Sequence, residues 1–292
     1  MKTIIRLFTA IIFIFALQIK AQNFDDVNIE TIKLSDHIYM LVGAGGNIGI
    51  SVGDDGVFVI DDQFAPITPK IEAAIKALTD KKIKFLVNTH HHGDHTGGNA
   101  NMEKLGANII AHDNVRLRLE KGNNESTTTK EGLPIITFND KMSVYINGEK
   151  VALFHVNDAH TDGDTMLYFT EGNVLHTGDV YFNGRYPFID LNSGGTIKGY
   201  IEAVKQGLNA INDDTKIIPG HGDVSNKSGY NMYLTMLETL KANVLAAIEK
   251  GKTEDEVAAD DSITKIYDDL GYGQGFINSE KIRRTFYNGL KN

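Results

Sequence analysis

The stretch that most constrains this chain runs from Ile83 to Asn99, "IKFLVNTHHHGDHTGGN". In it, an apolar strand leads without a break into four of the chain's ten histidines, crowded within six positions. An apolar strand is a core element, so imidazoles fixed to its end sit at a rigid edge of the fold. A tag or a solvated histidine tract would be a homopolymer at a terminus, whereas this cluster is interior and broken by Gly93 and Asp94. His90 and His92 lie two apart where the strand ends, and alternate side chains on a strand point the same way, so both can converge on one ion. Gly93 lets the chain turn, which brings Asp94 and His95 within reach of a second ion nearby. Gly97 and Gly98 allow close backbone approach where the next helix begins.

The donor chemistry narrows further because the chain has no cysteine. Disulfides, thiolate ligands and cysteine nucleophiles are excluded together. Any metal here is held by nitrogen and oxygen, which suits zinc, with iron or manganese as alternatives.

The rest of the chain reads as strand-rich blocks that each end in helices, twice over. In the first block, "ETIKL", "IYML", "NIGISVG", "GVFVID" and "ANIIA" join the apolar strand already described. "TPKIEAAIKALTD" reads as a helix capped by Thr68 with Pro69 in its first turn, and a second helix spans Asp113 to about Lys121. The polar run "KGNNESTTTKEG" then marks a lid or a join between halves, within Lys121 to Leu133. The second block has strands at "PIITF", "MSVYI", "VALFHV", "TMLYF", "NVLHTG" and "KIIP". Its helices run from about Thr196 to Ile211 and from about Ser228 to Lys250. "TEDE" at Thr253 to Glu256 is a capping box that opens another helix, and "INSEKIRRTFYNGL" forms the last. Two facing sheets with helices outside would bury this pattern.

The spacing H-x-H-x-D-H at His90 to His95 resembles that of the metallo-β-lactamase superfamily. The resemblance extends in order through "DAHTDGDT", "LHTGDVY" and "IPGHGD", over roughly residues 30 to 225. It implies an α+β fold, an αββα four-layer sandwich of two similar halves with the metal site at the sheet edge. It also implies that His90, His92 and His160 hold one metal, that Asp94, His95 and His221 hold the other, and that Asp179 bridges them. Two Zn2+ per chain are then expected, making a nucleophilic hydroxide at neutral pH. Asp94 would orient that nucleophile and accept its proton.

The remaining candidates are read from their positions. Asn183, in "VYFNGRYPFID", is expected to donate to a developing oxyanion, and Arg185 to pair with a substrate carboxylate or phosphate. Tyr181, Tyr186 and Phe188 are read as a pocket wall or as core. His91 is expected to point away from the metals, His176 to pack beneath the site, and Asp61 to support it from below. Phe182 stands where some β-lactamases of the family place a drug-clamping lysine, and the Asp bridge is closer to glyoxalase II, lactonases and phosphodiesterases. The leading expectation is hydrolysis of a cyclic amide, ester or related bond, β-lactams included. A thioesterase or phosphodiesterase is the alternative, and an iron-binding redox or sulfur-oxidation accessory protein is the reading from another class.

At the N-terminus, Lys2 and Arg6 precede the apolar run from Leu7 to Leu17, and small Ala21 follows, which describes a secretory signal peptide over residues 1–21. That run is short for a bilayer span. The organisation expected is this leader and one domain over 22–292, within which 228–292 is a helical segment packed on the rest. The protein is thus expected to be exported, periplasmic or secreted, without stable membrane insertion once the leader is cut. Loss of Lys2, Arg6 and Lys20 takes the net charge from −9 to −12. So acidic a chain is a poor nucleic-acid binder, and a small-molecule substrate is the expected partner.

Overall fold

The computed structural model of the chain describes residues 23–122 and 130–291. The expected leader, residues 1–21, and most of the stretch from Lys121 to Leu133 lie outside the described residues. Among the described residues, no helix is long and apolar enough to cross a membrane.

The first sheet follows chain order: β1 (Glu30–Lys33), β2 (Ile38–Val42), β3 (Ile48–Gly53), β4 (Gly56–Ile60), β5 (Ile83–Val87), β6 (Asn108–His112) and β7 (Ile136–Phe138). Tight turns make β1 to β4 antiparallel. Longer crossovers through α1 (Thr68–Leu78), α2 (Gly93–Thr96), α3 (Asn99–Lys104) and α4 (Asp113–Lys121) make β4 to β7 parallel. The second sheet contains β8 (Lys141–Ile146), β9 (Glu149–His155), β10 (Thr165–Phe169), β11 (Val174–His176), β12 (Lys216–Ile218) and the short β13 (Ser225–Asn226). Only β11 and β12 run parallel there, joined through α5 (Ile197–Ala210). The chain closes with α6 (Lys227–Glu249), α7 (Glu254–Ala258), α8 (Lys265–Asp268) and α9 (Ser279–Lys291).

The layers follow from which faces are apolar. Every residue of β4 is buried, as expected of a strand covered on both sides. Val57 and Val59 meet Ile71 and Ile75 of α1, while Phe58 and Ile60 join Leu153, Leu167 and Phe169 of the facing sheet. The rings of Phe58 and Phe169 meet edge to face at 6.0 Å between the sheets. On the far side, α5, α6 and α9 cover the second sheet through Tyr200, Tyr233 and Phe286. The result is the αββα four-layer sandwich. Local signals set several ends: Thr196 caps α5, Asn226 caps α6, and Thr253 with Glu256 form the capping box of α7. Thr68 does not cap α1. A 3-10 turn over Ala65–Ile67 leads directly into the helix, so Ile67 occupies the cap position and the Thr68 hydroxyl accepts from Asn101 instead.

Because Phe58 fills the interface between the sheets, Phe58→Ala is expected to cost about 3–5 kcal/mol. Tyr145→Ala, on the exposed edge strand β8, is expected to stay within about 0.5 kcal/mol. Urea unfolding of the two variants checks the contrast.

Candidate metal centre

Both sheets end at one edge, and the loops that leave β5, β9, β11 and β12 there carry the clustered side chains. The β5 exit is fixed first. Asn88 and Asn99 exchange reciprocal amide hydrogen bonds at 2.9 Å, tying the strand end to the start of α3. The Thr89 amide and hydroxyl both donate to Asp61, each at 2.8 Å. Asp61 terminates β4 in a left-handed conformation, φ +61°, which Asp tolerates better than most residues. Its second oxygen lies 2.7 Å from His95 Nδ1, so Nε2 of that ring points inward.

The other imidazoles are oriented from behind in the same manner. His160 donates from Nδ1 to the Phe188 carbonyl at 2.7 Å, and its backbone is held by the Asp164 carboxylate. His92 places Nε2 3.1 Å from Asp190 and turns Nδ1 toward His160 Nε2, 2.9 Å away. His90 Nδ1 rests 3.0 Å from the Thr89 hydroxyl. Such outer partners fix ring orientation and raise ligand basicity.

Two trios result, with one carboxylate between them. Asp179 Oδ1 lies 3.1 Å from His95 Nε2 and 3.3 Å from His221 Nε2. Its Oδ2 lies 3.5 Å from His160 Nε2 and 3.8 Å from His90 Nε2. Asp94 Oδ2 completes the second trio, 3.3 Å from His221 Nε2 and 3.6 Å from His95 Nε2. Thus His90, His92, His160 and Asp179 form one ligating group, and Asp94, His95 and His221 another.

Several of the donor atoms are left without hydrogen-bond partners. His90 Nε2, His95 Nε2 and Asp179 Oδ1 are buried without a hydrogen-bond partner, although His95 and Asp179 approach to 3.1 Å. Leaving such groups unsatisfied costs about 1–3 kcal/mol each. The separations of 3.1 to 3.8 Å bracket the edge of about 3.4 Å for a tetrahedron with ligand bonds of about 2.1 Å. The residues fit a pair of metal ions.

The electrostatics agree. Burial and the neighbouring imidazoles hold His90 well below the ordinary histidine range; burial brings His160 to about 4. Both are therefore neutral donors. Burial pulls His95 and His221 down too, but Asp179 and the other carboxylates prevail, and His221 rises to about 9. Burial works to raise the Asp94 and Asp179 carboxyls, yet the facing histidines hold both below the usual range. The carboxylates of Asp94 and Asp179 thus favour positive charge at the second trio.

The chain matches the family model for the metallo-beta-lactamase superfamily over residues 42–227. It belongs to that superfamily. It is similar to a hydroxyacylglutathione hydrolase of Pelagibacter ubique, 32% identical over 155 residues, which cover 50% of this chain and 56% of that protein. The corresponding enzyme of Polaromonas is 26% identical over 160 residues, 52% of this chain and 53% of that protein. The chain spans about half the length of the curated relatives it matches. A metallo-beta-lactamase from Pontibacter korlensis shares the fold at TM-score 0.63 and 18% identity, over 72% of this chain and 99% of that one.

Around the superfamily's metal centre, several sequence expectations change. Asn183 does not line the cavity above the metals. Its amide donates to the Asp223 carbonyl and its oxygen accepts from Tyr181, so its side chain braces the loop carrying His221. Tyr181 is core, packed on Tyr230 and Tyr233. Arg185, by contrast, lines the cavity with Tyr186 and Phe188. Phe182 stacks on His221 at 5.0 Å and 11°. His91 is buried beside His92, and His176 bonds to the Asn47 carbonyl and the Gly178 amide beneath the site.

Three contributors have no sequence signal of their own. Asn47 donates to the Pro219 and Gly222 carbonyls and clamps the His221 loop. A Cβ at Gly220 would meet Asp179 Oδ1 at 2.1 Å, and one at Gly46 would meet the His95 ring at the same distance. Only glycine leaves room for these ligands.

His92→Ala, Asp94→Ala and His221→Ala are each expected to lose bound metal and at least about 100-fold in activity with an unchanged circular dichroism spectrum. Asp61→Asn is expected to weaken metal affinity about 10- to 100-fold, read by competition with a chromogenic chelator.

Proposed function

We propose that this protein is an exported, dinuclear zinc hydrolase that cleaves an acyclic thioester or ester. The observation that carries the reading is the pair of trios sharing Asp179 at the floor of a cavity of about 520 Å³. When bound, two divalent ions supply a water acidic enough to attack at neutral pH and polarise the electrophile's oxygen. The chain's own residues do the rest. Asp94 lines the cavity and its carboxylate holds the attacking water in line and receives its proton. His221 is held against Phe182, so the face of the site is rigid where the substrate enters. Arg185 reaches the cavity wall, and among the described residues its guanidinium has no carboxylate partner, whereas Arg116, Arg118, Arg283 and Arg284 each pair with one. It is the group that meets a substrate's negative charge.

Thioester cleavage is favoured over the cyclic amide expected at first because several of the relatives are hydroxyacylglutathione hydrolases, whose named substrates are acyl thioesters. A lysine clamp for a drug carboxylate is also replaced by Phe182, whose ring supports a ligand. Export rests on the basic and apolar pattern of residues 1–21.

Metal analysis of the mature protein, run beside thiol release from S-acyl-N-acetylcysteamine thioesters and hydrolysis of a chromogenic cephalosporin, tests the reading. About two zincs with thiol release supports it. A single iron without hydrolysis of either compound overturns it in favour of a redox accessory role. Arg185→Met is expected to raise KM for anionic substrates about 10-fold or more with little change in kcat.

A further inference from the structure

The cavity walls are far more apolar than the floor. Aromatic side chains from three separate segments converge there: Phe64 before α1, Phe182 and Phe188 after the bridging Asp179, and Phe276 before α9. Phe188 stacks on His92 at 5.6 Å and 28°, and the Phe276 ring meets Phe188 edge-on at 5.7 Å. The aromatic surface is thus continuous from a metal-ligand candidate to the rim. Phe64 is backed by Phe24 at 5.2 Å.

The polar groups on these walls are mostly engaged. Tyr186 donates to Asp268 at 2.7 Å and lies 3.2 Å from the Thr264 carbonyl. Apart from the clustered His and Asp residues, Arg185 is the one polar side chain among the described lining residues that is free to meet a ligand. A tripeptide thiol carries two carboxylates, an ammonium and two amides, and burying these against such walls would leave most of them unpaired. Phe276, meanwhile, is 75% exposed, a large apolar ring held at the mouth. Lys281 sits 5.0 Å above that ring and bonds to the Phe276 carbonyl, fixing the residue at the rim.

We infer that the substrate of this site is a thioester or ester bearing an apolar chain or aryl group, with at most one anionic group for Arg185, and that Phe276 is a specificity-determining residue that closes over the apolar group. This rests on the hydrolase reading above and narrows its substrate class. Burying a methylene is worth about 0.8 kcal/mol, so affinity rises up to about fourfold per added carbon until the cavity is full.

The test uses metal-loaded mature protein and two series of thioesters, one lengthening the acyl chain from acetyl to decanoyl on N-acetylcysteamine, the other lengthening the thiol chain under a fixed acetyl group. Thiol release is read with a disulfide reagent, which the cysteine-free protein does not consume. Dissociation constants are measured separately for the matching amides, which are not turned over. A rise of two- to fourfold per carbon in kcat/KM or in amide affinity, in either series, supports the proposal. Phe276→Ala should then cut the decanoyl-to-acetyl ratio of that series about tenfold, while Tyr145→Ala, equally exposed on a distant strand, leaves it unchanged. Flat chain-length dependence in turnover and in binding, or an unaltered ratio in Phe276→Ala, overturns it. Chain-length-dependent amide binding without any turnover would instead sink the hydrolase reading and leave the apolar site standing.

Discussion

A single buried carboxylate organises the site. Asp179 divides its two oxygens between two groups of imidazoles, one supplied largely by the first sheet and one completed by loops of the second. An isolated buried anion is costly, so the arrangement persists only where positive charge meets it from both sides. The position of that carboxylate requires Gly220 and Gly178 around it and brings the two sheet edges into register. Asn47, from β2–β3, clamps the last loop onto the first half and completes the closure.

Rigidity comes from behind the ligands. Asp61 in its left-handed conformation, the Phe188 carbonyl, Asp190 and Thr89 each fix the outward nitrogen of one ring. The inward nitrogens are therefore aimed before any ligand arrives, which spares the reorganisation that a loose set of histidines would need. The unfavourable cost of orphaned atoms is offset elsewhere, by the sealed apolar core between the sheets around Phe58, Leu167 and Phe169.

The floor and the walls of the cavity follow different rules. The floor is common superfamily machinery, fixed at strand ends and leaving little freedom for change. The walls come from loops and from the segment before α9, where side chains change without disturbing the ligands. Phe64, Arg185, Phe188 and Phe276 belong to those walls.

Much of this was legible in the sequence, for a physical reason. Strand and helix periods are local, so most elements, the capping box at Thr253 and the histidine cluster at the end of β5 could be read directly, along with the absence of sulfur chemistry; the later His and Asp candidates came from the family resemblance. Loop side chains obey no period, and their directions depend on partners distant in the chain. Asn183 turns to Asp223 because the His221 loop lies beside it, and Tyr181 turns inward because α6 brings Tyr230 and Tyr233 over it. Phe276 reaches a cavity whose floor is built from His92, Asp94, Asp179 and His221, all far before it in the chain. The sequence by itself determined the donor set and the layers. Tertiary packing alone decided how Asp179 is shared, which glycines make room for it, and which aromatic rings face the substrate, because each depends on contacts between segments that only the folded chain brings together.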